Sequence, residues 1–284
     1  MEKLILVTGA TGRQGSAVVR HLLGRDCAIR AITRNPETMA AQDLLAQGVD
    51  VHVADLEEPA SLRPALAGVY GVFSVQNFWE RGVGYEGEIR QAKNLALAAS
   101  EAEVSHFVYS SIAACDEAPD VAHFACKWEG EKLVDQLGLP RTFLRPVFFM
   151  ENFNDSQFAP FMFPALSGTL GPETLVPLLS VDDLGWFAAE ALDEPESYLG
   201  KTLELAGDIL TVGEMKEIYS RVTGNEPSRF KIPSWLLGVI NPEMAAKLRW
   251  AKEKGWHIQL DELRGMHPKM ITFEEFARGN LLAS

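Results

Sequence analysis

The stretch LILVTGATGRQG, residues 4–15, decides the fold, because it joins an apolar run to a glycine-rich turn. The run of four apolar residues is typical of a strand that is covered on both faces of a parallel sheet. Four apolar residues that share one face of a helix follow the turn, namely Ala17, Val18, Leu22 and Leu23. The sequence therefore predicts a strand, a tight turn and a helix in immediate succession.

Each glycine of this turn has its own role if the turn holds a dinucleotide. Gly9 permits a tight turn, Gly12 lets the backbone approach a pyrophosphate, and Gly15 lets the helix pack on the strand. The helix then offers unpaired N–H groups and its positive dipole end to the phosphates. A purely structural turn is the alternative, but the position between strand and helix favours binding. The expected contacts are Thr8, Gly9, Thr11, Gly12, Arg13, Gln14 and Gly15.

The end of the second predicted strand, residues 27–32, discriminates between the two nicotinamide cofactors. Chains that bind NAD place Asp or Glu there to hold the ribose hydroxyls. This chain has Arg34, between Thr33 and Asn35, and a guanidinium binds a 2′-phosphate with two parallel hydrogen bonds. One charge-assisted bond contributes about 1.5–3 kcal/mol, which favours NADP about ten- to a hundredfold. We therefore expect NADP(H), with an ordinary exposed arginine as the alternative.

Length and apolar content predict a chain of two parts. The 284 residues, 47% of them hydrophobic, can bury one large core or two modest ones, and we expect one main domain with a smaller one. Strands alternate with helices from residue 4 to about residue 147, which predicts a doubly wound parallel sheet of Rossmann type. We expect a Rossmann-type domain at residues 1–152, with residues 182–206 returning to it. A smaller mixed α/β domain is expected at residues 153–284.

Charge and cysteine content exclude several classes of function. The net charge of −13 opposes direct binding of nucleic acid or of an anionic membrane surface. Cys27, Cys115 and Cys126 have no spacing typical of a disulfide framework or a zinc site, so we expect no metal and a reducing cytoplasm. The first strand is predicted to begin at Leu4, after only three residues, and no apolar run has the length of a membrane span. We therefore expect neither a signal peptide nor a membrane helix.

Further candidate cofactor residues follow other predicted strands. Ligands of open α/β sheets bind outside the carboxyl ends of the strands. Gln76 and Asn77 follow the predicted fourth strand, residues 71–75, in a polar and aromatic loop that extends to Glu80. Pro146 lies near the end of the predicted sixth strand, residues 142–148. We include Gln76, Asn77 and Pro146 in the expected cofactor site.

The pattern Thr8-Gly9-x-x-Gly12-x-x-Gly15 resembles that of the short-chain dehydrogenase/reductase superfamily, in its atypical and extended members. The resemblance implies that Asp55 and Leu56, which follow the third predicted strand, border the adenine. Asp55 is alternatively the N-cap of a helix, because Pro59 and Ser61 also indicate a helix start.

The same resemblance implies a catalytic Ser, Tyr and Lys, with the Tyr four residues before the Lys on one helix. Lys127 has the expected place after the fifth strand, but His123 stands where the tyrosine is expected. Ser111 is the first candidate for the serine and Ser110 the second. Histidine transfers protons near neutral pH, but its ring is shorter than a phenol, so catalysis and a wall position both stay open for His123. Lys127 is expected to bind ribose hydroxyls in either case.

The chain as a whole resembles the NmrA-like branch of the atypical short-chain dehydrogenases, closest to its NADPH-sensing redox regulators. The resemblance implies NADP binding through the glycine turn and the arginine, and signalling through a protein partner as the NADPH/NADP ratio changes. Members of that subgroup also lack the tyrosine. The resemblance rests on residues 9–15, 33–35, 71–80, 123–127, 149–152 and 267–276.

Two hypotheses of function follow from these residues. The first is an NADP(H) sensor with a protein partner and little or no dehydrogenase activity. The second is an NADPH-dependent reductase of quinones or other small carbonyl and enone compounds, in which Lys127, Ser111 or water assists. The phenylalanine-rich segment 148–163 would then be an irregular, apolar pocket wall, with core filling as the alternative. Either a monomer or a homodimer is compatible with the sequence.

Overall fold

A computed structural model describes residues 3–282 of the chain. Most strands precede residue 150, as the alternating pattern predicts. In chain order the strands are β1 (Lys3–Val7), β2 (Cys27–Thr33), β3 (Asp50–Val53), β4 (Gly71–Ser74), β5 (His106–Ser110), β6 (Arg141–Pro146), β7 (Phe148–Phe149), β8 (Leu175–Leu179), β9 (Thr202–Leu205) and β10 (Asp208–Thr211).

Helices connect the strands in the first half of the chain and dominate its last third. They are α1 (Arg13–Leu22), α2 (Met39–Ala46), α3 (Pro59–Ala65), α4 (Gly84–Glu101), α5 (Ala122–Gln136), α6 (Ala159–Thr169), α7 (Val181–Asp193), α8 (Pro195–Tyr198), α9 (Val212–Thr223), α10 (Ser234–Ile240), α11 (Pro242–Glu253), α12 (Leu260–Met266) and α13 (Phe273–Asn280). A short 3₁₀ helix, Met150–Phe153, precedes α6.

The described chain divides into two compact units. The first comprises residues 3–116, 123–145 and 184–203, and the second comprises residues 117–122, 146–183 and 204–282. Residues 146–152, which the sequence analysis places in the Rossmann-type domain, therefore belong to the second unit.

A seven-stranded sheet organises the first unit, in the order β3-β2-β1-β4-β5-β6-β9. The pairings from β3 through β6 are parallel, and β1 lies between β2 and β4. This order reverses direction at β1, so the carboxyl ends of β1 and β4 flank the switch point where open α/β sheets bind ligands. The Rossmann-type sheet predicted from the alternation of strands and helices is confirmed.

Helix α1 packs on this sheet through the apolar face that the sequence predicts. Ala17, Val18 and Leu22 are buried, whereas Leu23 lies beyond the last turn and is 36% exposed. Placing Leu23 on the buried face was therefore wrong, because the helix ends one residue before it. A Cβ at Gly185 in α7 would lie 2.7 Å from the Ala17 carbonyl carbon, so a glycine is needed where these two helices cross.

The second unit is built around a three-stranded sheet, β10-β8-β7, and a group of aromatic rings. The ring of Phe153 lies 5.0 Å from that of Phe163 and 5.1 Å from that of Phe273. The Phe163 ring also contacts Tyr219 at 5.3 Å. The backbone N–H of Phe273 donates to Asp208, which fixes the start of α13 within this unit.

Residues 148–163 do not form the irregular segment that the sequence predicts, and their role as a pocket wall stays a prediction. The segment contains strand β7, a 3₁₀ helix and the first turn of α6. Proline is compatible with the first turn of a helix, where its missing N–H has no intrahelical partner, and Pro160 lies there. Phe153 and Phe163 are buried among aromatic rings of the second unit, so the alternative of core filling holds for them.

Among residues 3–282, no helix is both long enough and apolar enough to cross a bilayer. Within the same range, no group of three or more His, Cys, Asp or Glu side chains is arranged to hold a metal ion.

Candidate functional site

The glycine turn lies between β1 and α1, where the sequence predicts it. The N–H of Gly12 donates to the carbonyl of Gly9 at 2.8 Å, and Gly9 has a φ of +60°, which glycine adopts at no steric cost. The first backbone bond of the helix runs from Ser16 N to Gly12 O. The amides of the first turn therefore precede the helical ladder and point outward at the positive end of the helix dipole.

The three glycines differ in what a side chain would meet. A Cβ at Gly15 would collide with the Gly9 carbonyl, so Gly15 permits the close packing of helix and turn. A Cβ at Gly9 would lie 2.8 Å from Val75 Cγ1. At Gly12 the only described atom within 4 Å beyond its chain neighbours is the Gly9 carbonyl oxygen, at 3.3 Å. The outer side of Gly12 is thus open backbone, which fits the approach of a pyrophosphate.

Two other residues that are predicted to contact the cofactor, Thr8 and Gln14, form side-chain hydrogen bonds with other protein groups. The hydroxyl of Thr8 donates to the Val75 carbonyl at 3.0 Å and accepts from the Val75 N–H at 2.8 Å, which ties β1 to the end of β4. The side-chain oxygen of Gln14 accepts a hydrogen bond from the Ser110 hydroxyl at 2.6 Å. Both side chains hold the turn in place, and direct contact of either with a cofactor stays a prediction. Thr11 and Arg13 are exposed on the turn.

Gln76 provides an independent sign of a ligand beside β4. Its amide nitrogen donates to the Ser74 hydroxyl at 2.9 Å, but its buried Oε1 accepts no hydrogen bond from the described residues. A buried polar atom without a partner costs about 1–3 kcal/mol, so a ligand N–H or O–H at this oxygen would be stabilising. Asn77, the next residue, is exposed, and its carbonyl accepts the N–H of Glu80.

Arg34 follows β2 and forms an ion pair with Glu80, a contact that was not predicted from the sequence. Its Nη1 lies 2.6 Å from Oε1 of Glu80. The hydrogen bond to Glu80 raises the pKa of the Arg34 guanidinium, and the charge of Asp55 raises it further. Arg34, the residue predicted to bind the 2′-phosphate, is thus exposed and is already paired with a carboxylate.

Asp55 and Leu56 lie directly after β3. The carboxylate of Asp55 accepts the N–H of Glu57 at 2.9 Å, in a local turn, and its backbone bonds the Ser61 hydroxyl. The N-cap of α3 is Glu58, so the alternative assignment of Asp55 as the cap is wrong. Leu56 packs against the core of the first unit, and its carbonyl accepts a hydrogen bond from Asn94. The expected contact of both residues with adenine stays a prediction.

Lys127 lies on α5 and is buried against a carboxylate of α4. Its Nζ is 2.6 Å from Glu88 Oε1 and donates to the Ser110 carbonyl at 2.9 Å. Glu88 is fully buried, which could not be predicted from the sequence, since the residue lies in an alanine-rich helix. An ammonium has three N–H donors; the Ser110 carbonyl accepts one of them, and Glu88 provides the counter-charge. One donor is sufficient for a ribose hydroxyl, so the arrangement fits the role expected of Lys127.

A tyrosine lies beside this lysine, but its burial makes it a poor proton donor. The Lys127 ammonium is 5.1 Å from the ring centre of Tyr109, and the Tyr109 hydroxyl is fully buried with no hydrogen-bond partner among the described residues. Burial, and then the charge of Glu88, raise the pKa of Tyr109 well above its usual value. Tyr109 therefore does not replace the tyrosine that the family pattern places four residues before the lysine.

The two candidate serines face different neighbours. Ser111 is buried, and its hydroxyl lies 3.6 Å from the sulfur of Cys115, whose thiol donates to Glu131. Burial raises the pKa of Cys115, so this thiol is unreactive. The Ser110 hydroxyl is instead directed to Gln14 in the glycine turn. The structure thus places Ser110 beside the turn and Ser111 in a buried polar cluster, and a catalytic role for either stays a prediction.

His123 occupies the tyrosine position within a group of aromatic rings. Its ring centre lies 4.7 Å from that of Phe78 and 5.6 Å from that of Trp79. Both rings come from the loop after β4, and the Trp79 ring is itself in edge contact with Phe78. His123 belongs to the same helix as Lys127, and its imidazole is thus packed against the apolar rings of the loop. Pro146, the last predicted cofactor residue, is buried at the end of β6.

Comparison with known proteins identifies the relatives of this arrangement. The model of the NmrA-like family matches residues 1–277. The NmrA-like family domain-containing oxidoreductase FrzB of Cladobotryum sp. is 30% identical over 264 residues, which cover 83% of this chain and 78% of FrzB.

Two solved structures show the same fold over nearly the whole chain. The NADPH-dependent quinone oxidoreductase of Escherichia coli, complexed with NADPH, superposes with a TM-score of 0.82 and 26% identity, covering 97% of this chain and 99% of that one. The negative transcriptional regulator NmrA, in complex with NADP, gives a TM-score of 0.77 and 22% identity, covering 98% and 95%.

Proposed function

The chain belongs to the NmrA-like family, and we propose that it binds NADP(H) and acts as a redox sensor with little or no dehydrogenase activity. Residues 12–15 would hold the pyrophosphate, Arg34 the 2′-phosphate and Lys127 the ribose hydroxyls. Open backbone at Gly12 and the unpartnered oxygen of Gln76 support this fit. The NADP(H) complexes of two neighbours with the same fold also support it.

The observation that carries the sensor proposal is the environment of His123. In the short-chain dehydrogenase pattern a tyrosine would transfer a proton to the substrate, and here an imidazole packed on Phe78 and Trp79 stands in its place. A positioned general acid contributes about 10²–10⁴-fold to a rate. NADPH, when bound, supplies a hydride, but transfer to an ordinary ketone without such an acid should be near background.

A sensor also requires two conformations with different affinity for the cofactor, because a ligand shifts an equilibrium only by its differential binding. The loop after β4 supports this requirement, since it carries Phe78 and Trp79 against His123 and Glu80 against Arg34. A cofactor that contacts Arg34 would compete with one of these contacts. The expected partner is a protein that binds only one of the two states.

The test is NADPH consumption with a panel of aldehydes, enones and quinones. We expect tight NADPH binding with turnover close to background for wild type, and a changed protease sensitivity on binding. His123→Ala should bind NADPH as wild type does. His52→Ala serves as the matched control, because His52 is a partly exposed histidine on β3 that pairs with Asp50.

Robust turnover of any compound, lost in His123→Ala but kept in His52→Ala, would contradict the sensor proposal. His123 would then be the proton donor of a reductase. The oxidoreductase relatives favour this second candidate. Quinones are its best substrates on chemical grounds, since hydride transfer to a quinone needs less help from a positioned acid.

A further inference from the structure

One loop contacts both ends of the candidate site in the first unit. It runs from Val75 to Val83, between β4 and α4, and we name it the β4–α4 loop. Glu80 of this loop pairs with Arg34, which we propose as the 2′-phosphate ligand, while Phe78 and Trp79 pack on His123, at the tyrosine position. The loop is therefore a physical link between the adenosine end and the hydride-transfer end.

The backbone of this loop is tied to itself. The N–H of Glu80 donates to the Asn77 carbonyl at 3.0 Å, and the N–H of Val83 donates to the Glu80 carbonyl at 3.0 Å. A third bond runs from Gly84 N to the Phe78 carbonyl at 3.2 Å. These bonds join the backbone segments that carry the three side chains into one connected loop.

The contact between Glu80 and Arg34 is the weaker of the two attachments. Both groups are open to solvent, with the Arg34 side chain 62% and the Glu80 side chain 34% exposed. Exposed ion pairs are screened by water and contribute little. A phosphate carries more charge than a carboxylate and binds the same guanidinium fork, and it also repels Glu80 and Asp55. A 2′-phosphate and the Glu80 carboxylate therefore compete for Arg34.

We propose that Glu80 is a specificity-determining residue, displaced from Arg34 by the 2′-phosphate of NADP(H), and that the β4–α4 loop then shifts Phe78 and Trp79 on His123. This inference rests on the proposed binding of the phosphate by Arg34. NAD(H), which lacks the phosphate, leaves the Arg34–Glu80 pair intact. The protein thus distinguishes the two cofactors by conformation as well as by affinity.

The experiment uses ligand fragments that lack nicotinamide, so that any effect at His123 must pass through the protein. Adenosine 2′,5′-bisphosphate carries the 2′-phosphate. Adenosine 5′-monophosphate is the matched compound that lacks this phosphate. Calorimetry gives both affinities for wild type, Glu80→Gln, Arg34→Ala and Glu101→Gln. The last variant is the control, because Glu101 forms an ion pair with Arg63 in which both side chains are exposed, at 54% and 69%.

Two further readouts report on the loop. One is the emission of Trp79, obtained by subtracting the spectrum of Trp79→Phe, and the other is the imidazole NMR signal of His123, assigned with His123→Ala. We expect the bisphosphate to change both signals in wild type, and the monophosphate to change neither. In Glu80→Gln, which removes the charge that pairs with Arg34, both ligand-free signals should resemble those of bisphosphate-bound wild type.

In affinity, Glu80→Gln should bind the bisphosphate about two- to fivefold more tightly, as expected when an exposed ion pair no longer competes for Arg34, with monophosphate binding within about twofold of wild type. Weaker or unchanged bisphosphate binding in Glu80→Gln would overturn the inference, as would a His123 signal that does not respond to the bisphosphate. If Arg34→Ala binds the bisphosphate as well as wild type, the proposed phosphate ligand itself is wrong. Failure of the inference about Glu80 is therefore distinguishable from failure of the proposed phosphate binding by Arg34.

Discussion

Two ion pairs in the first unit join a proposed cofactor ligand to a glutamate that follows β4. In one, Arg34 meets Glu80 with both side chains substantially exposed. In the other, Lys127 meets Glu88 with exposures of 5% and 0%. The nitrogen–oxygen distance is 2.6 Å in both pairs. Equal distances thus occur in opposite solvent environments.

The difference in burial gives the two pairs different roles. Charges exposed to water are stabilised by solvent whether or not they are paired, so Arg34 can exchange Glu80 for a ligand phosphate at little cost. Buried charges have lost that solvent, and removal of one partner leaves the other uncompensated. Lys127 and Glu88 therefore form a permanent contact that positions the ammonium, whereas Arg34 and Glu80 form an exchangeable one.

The largest effect is expected from breaking the buried pair. Lys127→Ala leaves the Glu88 carboxylate without its counter-charge and should lower the free energy of unfolding by about 3–5 kcal/mol. The double variant Lys127→Met with Glu88→Leu should recover most of that loss, because it removes both charges. Denaturant unfolding measures both variants.

The exposed pair provides the control for that experiment. Arg34→Ala should change the free energy of unfolding by about 1 kcal/mol or less. Equal losses for Lys127→Ala and Arg34→Ala would show that burial does not separate the two pairs.

His106 extends the comparison of buried and exposed charged groups, because it is a buried titratable group whose partner is neutral. His106 at the start of β5 is fully buried, and its Nε2 lies 2.8 Å from the Thr142 hydroxyl, which donates to the Tyr198 carbonyl. Thr142 therefore accepts from His106, which fixes a proton on Nε2. Burial lowers the pKa of His106 to about 4, and the charge of Lys3 adds to this effect.

Because the folded pKa lies below the unfolded value near 6.5, the unfolded chain binds more protons between these two pH values. Stability should fall as the pH drops through this window. Between pH 7 and pH 5, wild type should lose about 2 kcal/mol more than His106→Gln, by the linkage of proton binding to folding. Urea titrations of both proteins at the two pH values measure this difference. Parallel losses would mean that His106 is charged when folded.

Local sequence patterns were sufficient for the sheet and for the glycine turn. The apolar run before Thr8 and the glycine spacing predict β1, the turn and α1, because strand burial, left-handed backbone and helix packing act over a few residues. Thr211 and Thr272 each begin a helix with a capping box, for the same local reason.

Contacts between distant residues could not be predicted in this way. Glu80 lies 46 residues from Arg34 along the chain, and Glu88 lies in a helix whose alanine content gives no sign of a buried charge. Phe153 and Phe163 are buried in the second unit by rings such as Phe273. A run of phenylalanines is therefore compatible with a pocket wall or with a core, and only the tertiary fold decides between them.

The most direct test of the account is a parallel calorimetric titration of NADP and NAD into wild type and Arg34→Ala, with Arg63→Ala as the exposed-arginine control. We expect wild type and Arg63→Ala to prefer NADP about ten- to a hundredfold, as expected for one charge-assisted contact with the 2′-phosphate. Arg34→Ala should bind the two cofactors about equally. Equal affinity of wild type for NADP and NAD, or a preference that survives in Arg34→Ala, would contradict the account.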